Sequence, residues 1–441
     1  MIVKICSCSV VVTYLSIPSQ KLRIHSKVGR NVMKKTLISI AVGLTMGLSA
    51  SIDAQEIKFW MVTPSNEAAS QALQDIAKEF NKNNQGANVI VEGRSIDQHK
   101  ASLRIAATSN EGPDIFFSWA GLGLGGEYVK AGLSAPMNKY YDQYKWADKL
   151  LPAAVAFSDQ YGGEKHGIPY TFRGEAIYYN KALFKKAGIN EEPKTYNELV
   201  SAAEKLKQHK IPAITFGGSV NWHLMRLMDV ILETKCGAEK HDALNSLKLK
   251  WNTEACVKDS FNEFHKWTSD YMLKPFMGFA EDQSYNLFAA NRAAMMLEGD
   301  WLVGKVVASG KVDEVGLFPF PTETKRLYGF AEYLYLSSKG KNIDMAAKFL
   351  DYLSSKEVQQ KYLGIIGSTS VNKSVVYKDQ NPLDAKWVTI FNEYSKTFVN
   401  GDQALPLQVT TEYFRIINNV ATDEIAPDVA GDKLQEFIDK Q

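Results

Sequence analysis

One pattern limits the folds open to this chain more than any other. From Ile57 to Trp119 it alternates apolar runs with amphipathic segments. Ile57–Val62 reads as a buried strand, and Glu67–Asn81 follows with Ala72, Leu73, Ile76 and Phe80 on one helical face. Asn88–Val91 is strand-like, Gln98–Thr108 is helical, and Asp114–Trp119 is a third strand. Strand–helix–strand–helix–strand of this length builds a parallel sheet covered by helices. Such sheets bind ligands beyond the carboxyl ends of their strands.

The remainder continues the theme. A second block opens near Gly174, with strand Ala176–Asn180 and helix Lys181–Ala187. Thr195 with Glu198 three residues on forms a capping box for helix Tyr196–Gln208. Ala213–Gly217, Ala293–Leu297, Val315–Phe318 and Gly329–Leu336 read as strands. Asn221–Thr234, Thr253–Thr268, Tyr285–Ala290 and most of 343–363 and 386–440 read as helical. With 441 residues, no repeat and no Gly/Ser linker, the fold class is α/β, with two closely packed lobes.

The N-terminus carries its own signal. Met33-Lys-Lys precedes an uncharged run from Thr36 to Ile52, and small residues lead to Gln55. That is the layout of a secretory leader cleaved after Ala54, with residues 1–32 reading as an over-extended frame. No basic stop follows the run, as an anchor would want, and no Cys follows it for lipidation. Beyond residue 54 the chain holds 44 basic and 48 acidic residues, a net of −4. Nothing in that balance favours nucleic acid or anionic membrane. Cys236 and Cys256 remain after the leader, and two cysteines in an exported chain make a natural disulfide pair.

Catalytic motifs fail on inspection. Gly121-Leu-Gly-Leu-Gly125-Gly126 satisfies the dinucleotide glycine spacing, but only a short Glu127–Lys130 segment follows. Asp142 has the spacing of the ribose acid without a strand to carry it. The run reads instead as a flexible turn near a ligand mouth. Gly299–Lys305 has a P-loop spacing, but Val306 stands where magnesium needs a hydroxyl. No nucleophile elbow and no metal-ligand spacing of His or Cys occurs, so the sequence assigns no catalytic residue, metal or cofactor. Glu298 and Asp300 are imaginable as a glycosidase pair, though nothing singles them out. Tyr178 and Tyr179, adjacent on a strand, point to opposite faces and read as core rather than as phenolate ligands.

Aromatic placement is more telling. Trp60, Trp119, Trp222 and Trp301 fall at or beyond strand ends, beside Asp, Glu, Asn and Arg. Flat rings next to such groups suit a pyranose, which has an apolar face and a hydroxyl edge.

At this point the chain resembles the periplasmic extracellular solute-binding proteins of ABC sugar importers, the maltose- and glucose-binding class. The elements stand in order over 56–441: Ile57-Lys-Phe-Trp60, Gly112-Pro-Asp-Ile-Phe116, Gly167-Ile-Pro-Tyr170, Ile177-Tyr-Tyr-Asn-Lys181 with Phe184-Lys-Lys-Ala-Gly188, Pro193–Leu199, Ala293–Trp301, and Phe318-Pro-Phe-Pro321. One segment departs, reading Gly367-Ser-Thr-Ser370 where the family has a Pro and an Arg. The resemblance implies a type II periplasmic-binding-protein fold of two discontinuous lobes. Lobe one would hold 55–173 and 322–372, and lobe two 174–321 and 373–441. Crossings would fall near Arg173–Ala176, Phe318–Pro321 and Val371–Val375. It implies a monomer with no catalytic activity that closes over a neutral sugar in the periplasm and docks on a membrane ABC permease. Site residues would be Trp60, Asn66, Glu67, Trp119, Arg173, Trp222, Asp300, Trp301 and Glu332. The tryptophans would stack and the polar groups would bond hydroxyls. Rival readings are a polyamine, iron or phosphorylated polyol ligand on the same fold, and a secreted glycosidase.

Overall fold

The computed structural model describes residues 55–441 apart from Ser65 and Ser395. The expected leader and its cleavage site lie outside the described residues. Eight strands form the sheet: β1 (Gln55–Val62), β2 (Ala87–Arg94), β3 (Ile115–Trp119), β4 (Ile168–Asn180), β5 (Met295–Gly299), β6 (Val315–Phe318), β7 (Leu327–Leu336) and β8 (Thr397–Phe398). The main order is β2-β1-β3-β7-β4-β5, with β6 on β4 and β8 on β7. β1 pairs in parallel with β2 and β3, as the opening alternation requires. The covering helices Glu67–Asn83 and Ile96–Thr108 follow from the spacing of Ala72, Leu73, Ile76, Phe80 and Leu103, all buried. Asn66 caps the first of these helices and Ser95 the second.

β4 and β7 are the members shared by the two lobes. They run antiparallel from Ile168↔Leu334 to Gly174↔Gly329. Residues 175–180 of β4 then pair with β5 and β6 instead. The core divides accordingly. One cluster gathers Phe59, Ile76, Phe116, Trp146, Tyr333 and Phe349. Another gathers Leu199, Phe216, Leu227, Trp267, Phe320 and Tyr413. Period-two alternation sends Ile177 into this second cluster and Tyr178 into a third, with Trp387 and Leu317, on the opposite face of the second lobe's sheet. Tyr178 donates to the Gly299 carbonyl at 2.8 Å and accepts from Trp387 Nε1 at 2.8 Å, so it is a core residue.

Three expectations are corrected. Ala213–Gly217 is not a strand: only Ile214 forms bridges, to Met272 and Met295, flanked by Pro212 and by the close-packed Gly217 and Gly218. Trp60 is not at a strand end, because β1 continues to Val62. The glycine run 121–126 is not a loose turn. Gly123 donates to the Gln403 carbonyl at 3.1 Å, and a Cβ at Gly121, whose φ is +110°, would meet that oxygen at 2.5 Å. Glycine is needed there because two backbones touch.

Between Pro321 and Gly329 the chain keeps contact with the second block's helices. Arg326 still bonds Glu233 and Asp242, and Tyr328 bonds Asp229, all on the second lobe's helix Asn221–Asn245. Cys236 and Cys256 form a disulfide. It ties that helix, where it breaks at Gly237, to helix Ala255–Lys266.

Candidate functional site

Between the lobes lies a cavity of about 400 Å³. Its first-lobe wall is built by register. Trp119 ends β3 opposite Glu332 of β7, and Thr171 of β4 stands opposite Glu332 on the other side. A tryptophan, a carboxylate and a hydroxyl thus form a row across three strands, with Thr171 Oγ1 donating to Glu332.

Arg173 closes the back of the cavity at the β4 crossing. Its Nε donates to Glu332 Oε2 at 2.9 Å, Nη1 to Asp300 Oδ2 at 3.2 Å, and Nη2 to the Ile366 carbonyl at 3.1 Å. One side chain therefore links the first-lobe sheet, the end of β5 and the loop 364–368. Burial opposes its charge, but Glu332 and Asp300 outweigh that and raise its pKa. Burial pushes the Asp300 carboxyl up to about 6, with Arg173 pulling the other way.

The second-lobe wall centres on Arg226. Its guanidinium lies 4.4 Å from the Trp222 ring centroid and 5.0 Å from that of Trp301. Nη1 donates to Glu298 Oε2 at 2.8 Å, and Nε is 2.9 Å from Glu175 Oε2 at an angle too poor for a hydrogen bond. His223 adds a 2.9 Å contact from Nε2 to Glu298, while its Nδ1 accepts from Gly217 N–H. A single guanidinium serves two buried carboxyls unequally. Against burial, Arg226 and His223 hold Glu298 down to about 2, while burial lifts Glu175 to about 7 despite Arg226.

Of the residues expected at the site, Asn66, Trp119, Arg173, Trp222, Asp300, Trp301 and Glu332 line this cavity. Trp60 and Glu67 do not. Trp60 packs half-buried beneath the Arg94 guanidinium at 4.2 Å, two residues short of the end of β1. Glu67 is the exposed first residue of helix Glu67–Asn83, where a negative charge favours the helix dipole. Asn66 reaches across to Gly304 on the facing lobe, whose missing side chain leaves it room.

The sequence reading missed Lys100, Arg226, Glu281 and the turn Asn400–Gln403. Arg226 had a signal: it stands four residues after Trp222 on one helix, and so on the same face. Asn400–Gln403 had none, since it reaches the cavity from the far C-terminal part of the chain. The departing segment near Gly367 also faces the cavity, through Gly364–Ser368.

Comparison with known proteins adds the following. A family model described as bacterial extracellular solute-binding protein matches residues 63–360. The chain is 24% identical over 333 residues to the multiple sugar-binding protein of Streptococcus mutans, across 70% of this chain and 74% of that one. It is 25% identical over 344 residues to the sn-glycerol-3-phosphate-binding periplasmic protein of Brucella abortus, across 74% and 76%. Among solved structures, a chitin oligosaccharide binding protein shares the fold with a TM-score of 0.79 at 22% identity, over 88% of this chain and 99% of that one.

Proposed function

The chain belongs to the bacterial extracellular solute-binding proteins, and we propose that it is the exported, non-catalytic receptor of an ABC importer that captures a neutral sugar between its lobes and hands it to a membrane permease. The observation that carries this reading is one cavity shared by both lobes and lined by Trp119, Trp222 and Trp301 among hydrogen-bonding side chains. Rings give a sugar's apolar face its contact area, and the polar groups fix its hydroxyls. A ligand touching both walls favours the closed arrangement by its differential affinity, which is how hinge binding proteins work.

A phosphorylated polyol is the second reading, and the charge pattern weighs against it. Arg173 is engaged by Asp300 and Glu332, and Arg226 by Glu175 and Glu298, so neither is spare for a phosphate. We place the lobes at 55–173 with 329–372 and at 174–328 with 373–441, taking the second boundary at Gly329 instead of Pro321 on the contacts of Arg326 and Tyr328. The periplasm, reached through the leader that begins at Met33, is the proposed location, and a monomer the proposed state.

A thermal-shift screen of the purified protein against mono- and oligosaccharides, polyamines and glycerol 3-phosphate tests the reading. Stabilisation by a sugar that is not consumed on long incubation is the expected result. Stabilisation by glycerol 3-phosphate alone, or turnover of a glycoside, would overturn it.

A further inference from the structure

We propose that this cavity selects by chain length: it takes a di- or trisaccharide and gains nothing from a longer chain. The inference rests on the sugar-receptor reading and narrows it.

Contacts between the lobes stop the cleft at both ends. The strand order β2-β1-β3 sends the β1-to-β2 and β2-to-β3 connections in opposite directions across the sheet. With crossovers of one hand, helices Glu67–Asn83 and Ile96–Thr108 therefore cover opposite faces. On the first face Asn66, which caps helix Glu67–Asn83, meets Gly304 of helix Leu302–Ala308 in the second lobe. A Cβ on Gly304 would lie 3.3 Å from Asn66 Nδ2. On the other face the turn after Trp119 leads into helix Gly125–Lys130, which packs on helix Ile96–Thr108. That turn meets the second lobe through the bond from Gly123 N–H to the Gln403 carbonyl at 3.1 Å. Arg173, with Asp300 and the Ile366 carbonyl, closes the back. A saccharide lying lengthwise in the cleft thus runs into a lobe-to-lobe contact at each end.

Volume and aromatic surface set the lower limit. The cavity holds about 400 Å³, and a hexose packed as densely as in an organic crystal takes roughly 200 Å³. A single ring would leave half of the space empty. Trp119 stands on one wall, and Trp222 and Trp301 stand on the other. Both of the latter rings lie within 5.0 Å of the Arg226 guanidinium, so the two indoles are neighbours. A pyranose has two faces, and three indoles offer more stacking surface than one ring can cover. Two rings match the volume and the indoles together. A third has the mouth of the cleft, where the exposed Ser95 and Ile96 follow β2, far along the sheet from Arg173 on β4. A fourth stands in water and buries little.

The test is titration calorimetry of the purified protein with saccharides of increasing length. The series are α-1,4-gluco, β-1,4-gluco, β-1,4-xylo, β-1,4-manno and N-acetylated β-1,4-glucosamine, together with galactose, melibiose, raffinose and stachyose. In the series that binds, the disaccharide is expected to bind at least about tenfold tighter than its monosaccharide, and the tetrasaccharide no more than about twofold tighter than the trisaccharide. Asn66→Gly removes one end-stop while glycine still serves as a helix cap, so it should raise tetrasaccharide over trisaccharide affinity at least about fivefold. The native series decides the matter if that variant folds poorly. A tetrasaccharide several-fold tighter than the trisaccharide, or a monosaccharide matching its disaccharide, would overturn this inference and leave the sugar-receptor reading standing. An unchanged ratio in the folded Asn66→Gly protein would do the same. Binding of spermidine or glycerol 3-phosphate with no saccharide bound would overturn both.

Discussion

Trp119 and Arg226 show how single side chains divide the work of the cleft. Trp119 is half-buried at the mouth of β3 with Lys100 over one face, so its ring offers contact area without being part of a closed core. Trp119→Ala is expected to weaken sugar binding by about 1–2 kcal/mol, roughly five- to thirtyfold, in a titration. Arg226 orients two rings at once, so Arg226→Met should weaken binding and also shift the tryptophan emission of the unliganded protein. Asp229 carries a pH signature instead. Burial lifts its carboxyl to about 7, although Gly401 N–H and the hydroxyls of Tyr328 and Tyr413 donate to it. A raised acid binds its proton more tightly when folded, so its contribution to stability declines as pH rises from about 4 to about 7. Asp229→Asn removes that decline. The variant should gain on the native protein by up to about 1.4 kcal/mol per pH unit across the window in urea denaturation. Trp119 was legible in the sequence because it follows an apolar run. Asn400 and Asp402 were not, because no local pattern marks a polar turn that distant packing brings to a cavity.

At the scale of elements, what the sequence disclosed was periodicity, and what it concealed was pairing. The opening strands and helices were readable within a few residues because one buried face fixes each period. Ala213–Gly217 looked like a strand by composition, yet a strand exists only where a neighbour bonds along it, and here just Ile214 is met. The run 121–126 matched a phosphate-binding spacing, while its glycines serve contact between lobes. A Cβ on Gly123 would collide with the carbonyl oxygens of Leu405 and Asp402. Gly123→Ala should therefore force the two turns apart and lower ligand affinity about tenfold. Small-angle scattering of the liganded variant should report a wider molecule than the native one. The disulfide closes a loop of 20 residues at a helix break. Replacing both cysteines by alanine is expected to cost about 3 kcal/mol in denaturant unfolding.

For the molecule as a whole, the two lobes were foreseeable from the order of the motifs. Pro321 seemed a natural boundary. Side-chain contacts of Arg326 and Tyr328 favour the proposed boundary at Gly329, and ion pairs between distant residues leave no trace in a local window. Closure about β4 and β7 should appear as a compaction in scattering on saturation with ligand, and an unchanged profile would contradict it. The same pair of strands has a bearing on biogenesis. β3 has its antiparallel neighbour in β7, with Ile115 opposite Leu336, so the first sheet lacks an inner member until most of the polypeptide has been made. A ribosome delivering the chain from its N-terminus thus exposes a first half that cannot finish folding by itself. For an exported protein that crosses a membrane before it folds, such a delay is useful, and by this topology the nascent chain is expected to stay loose until β7 has been made.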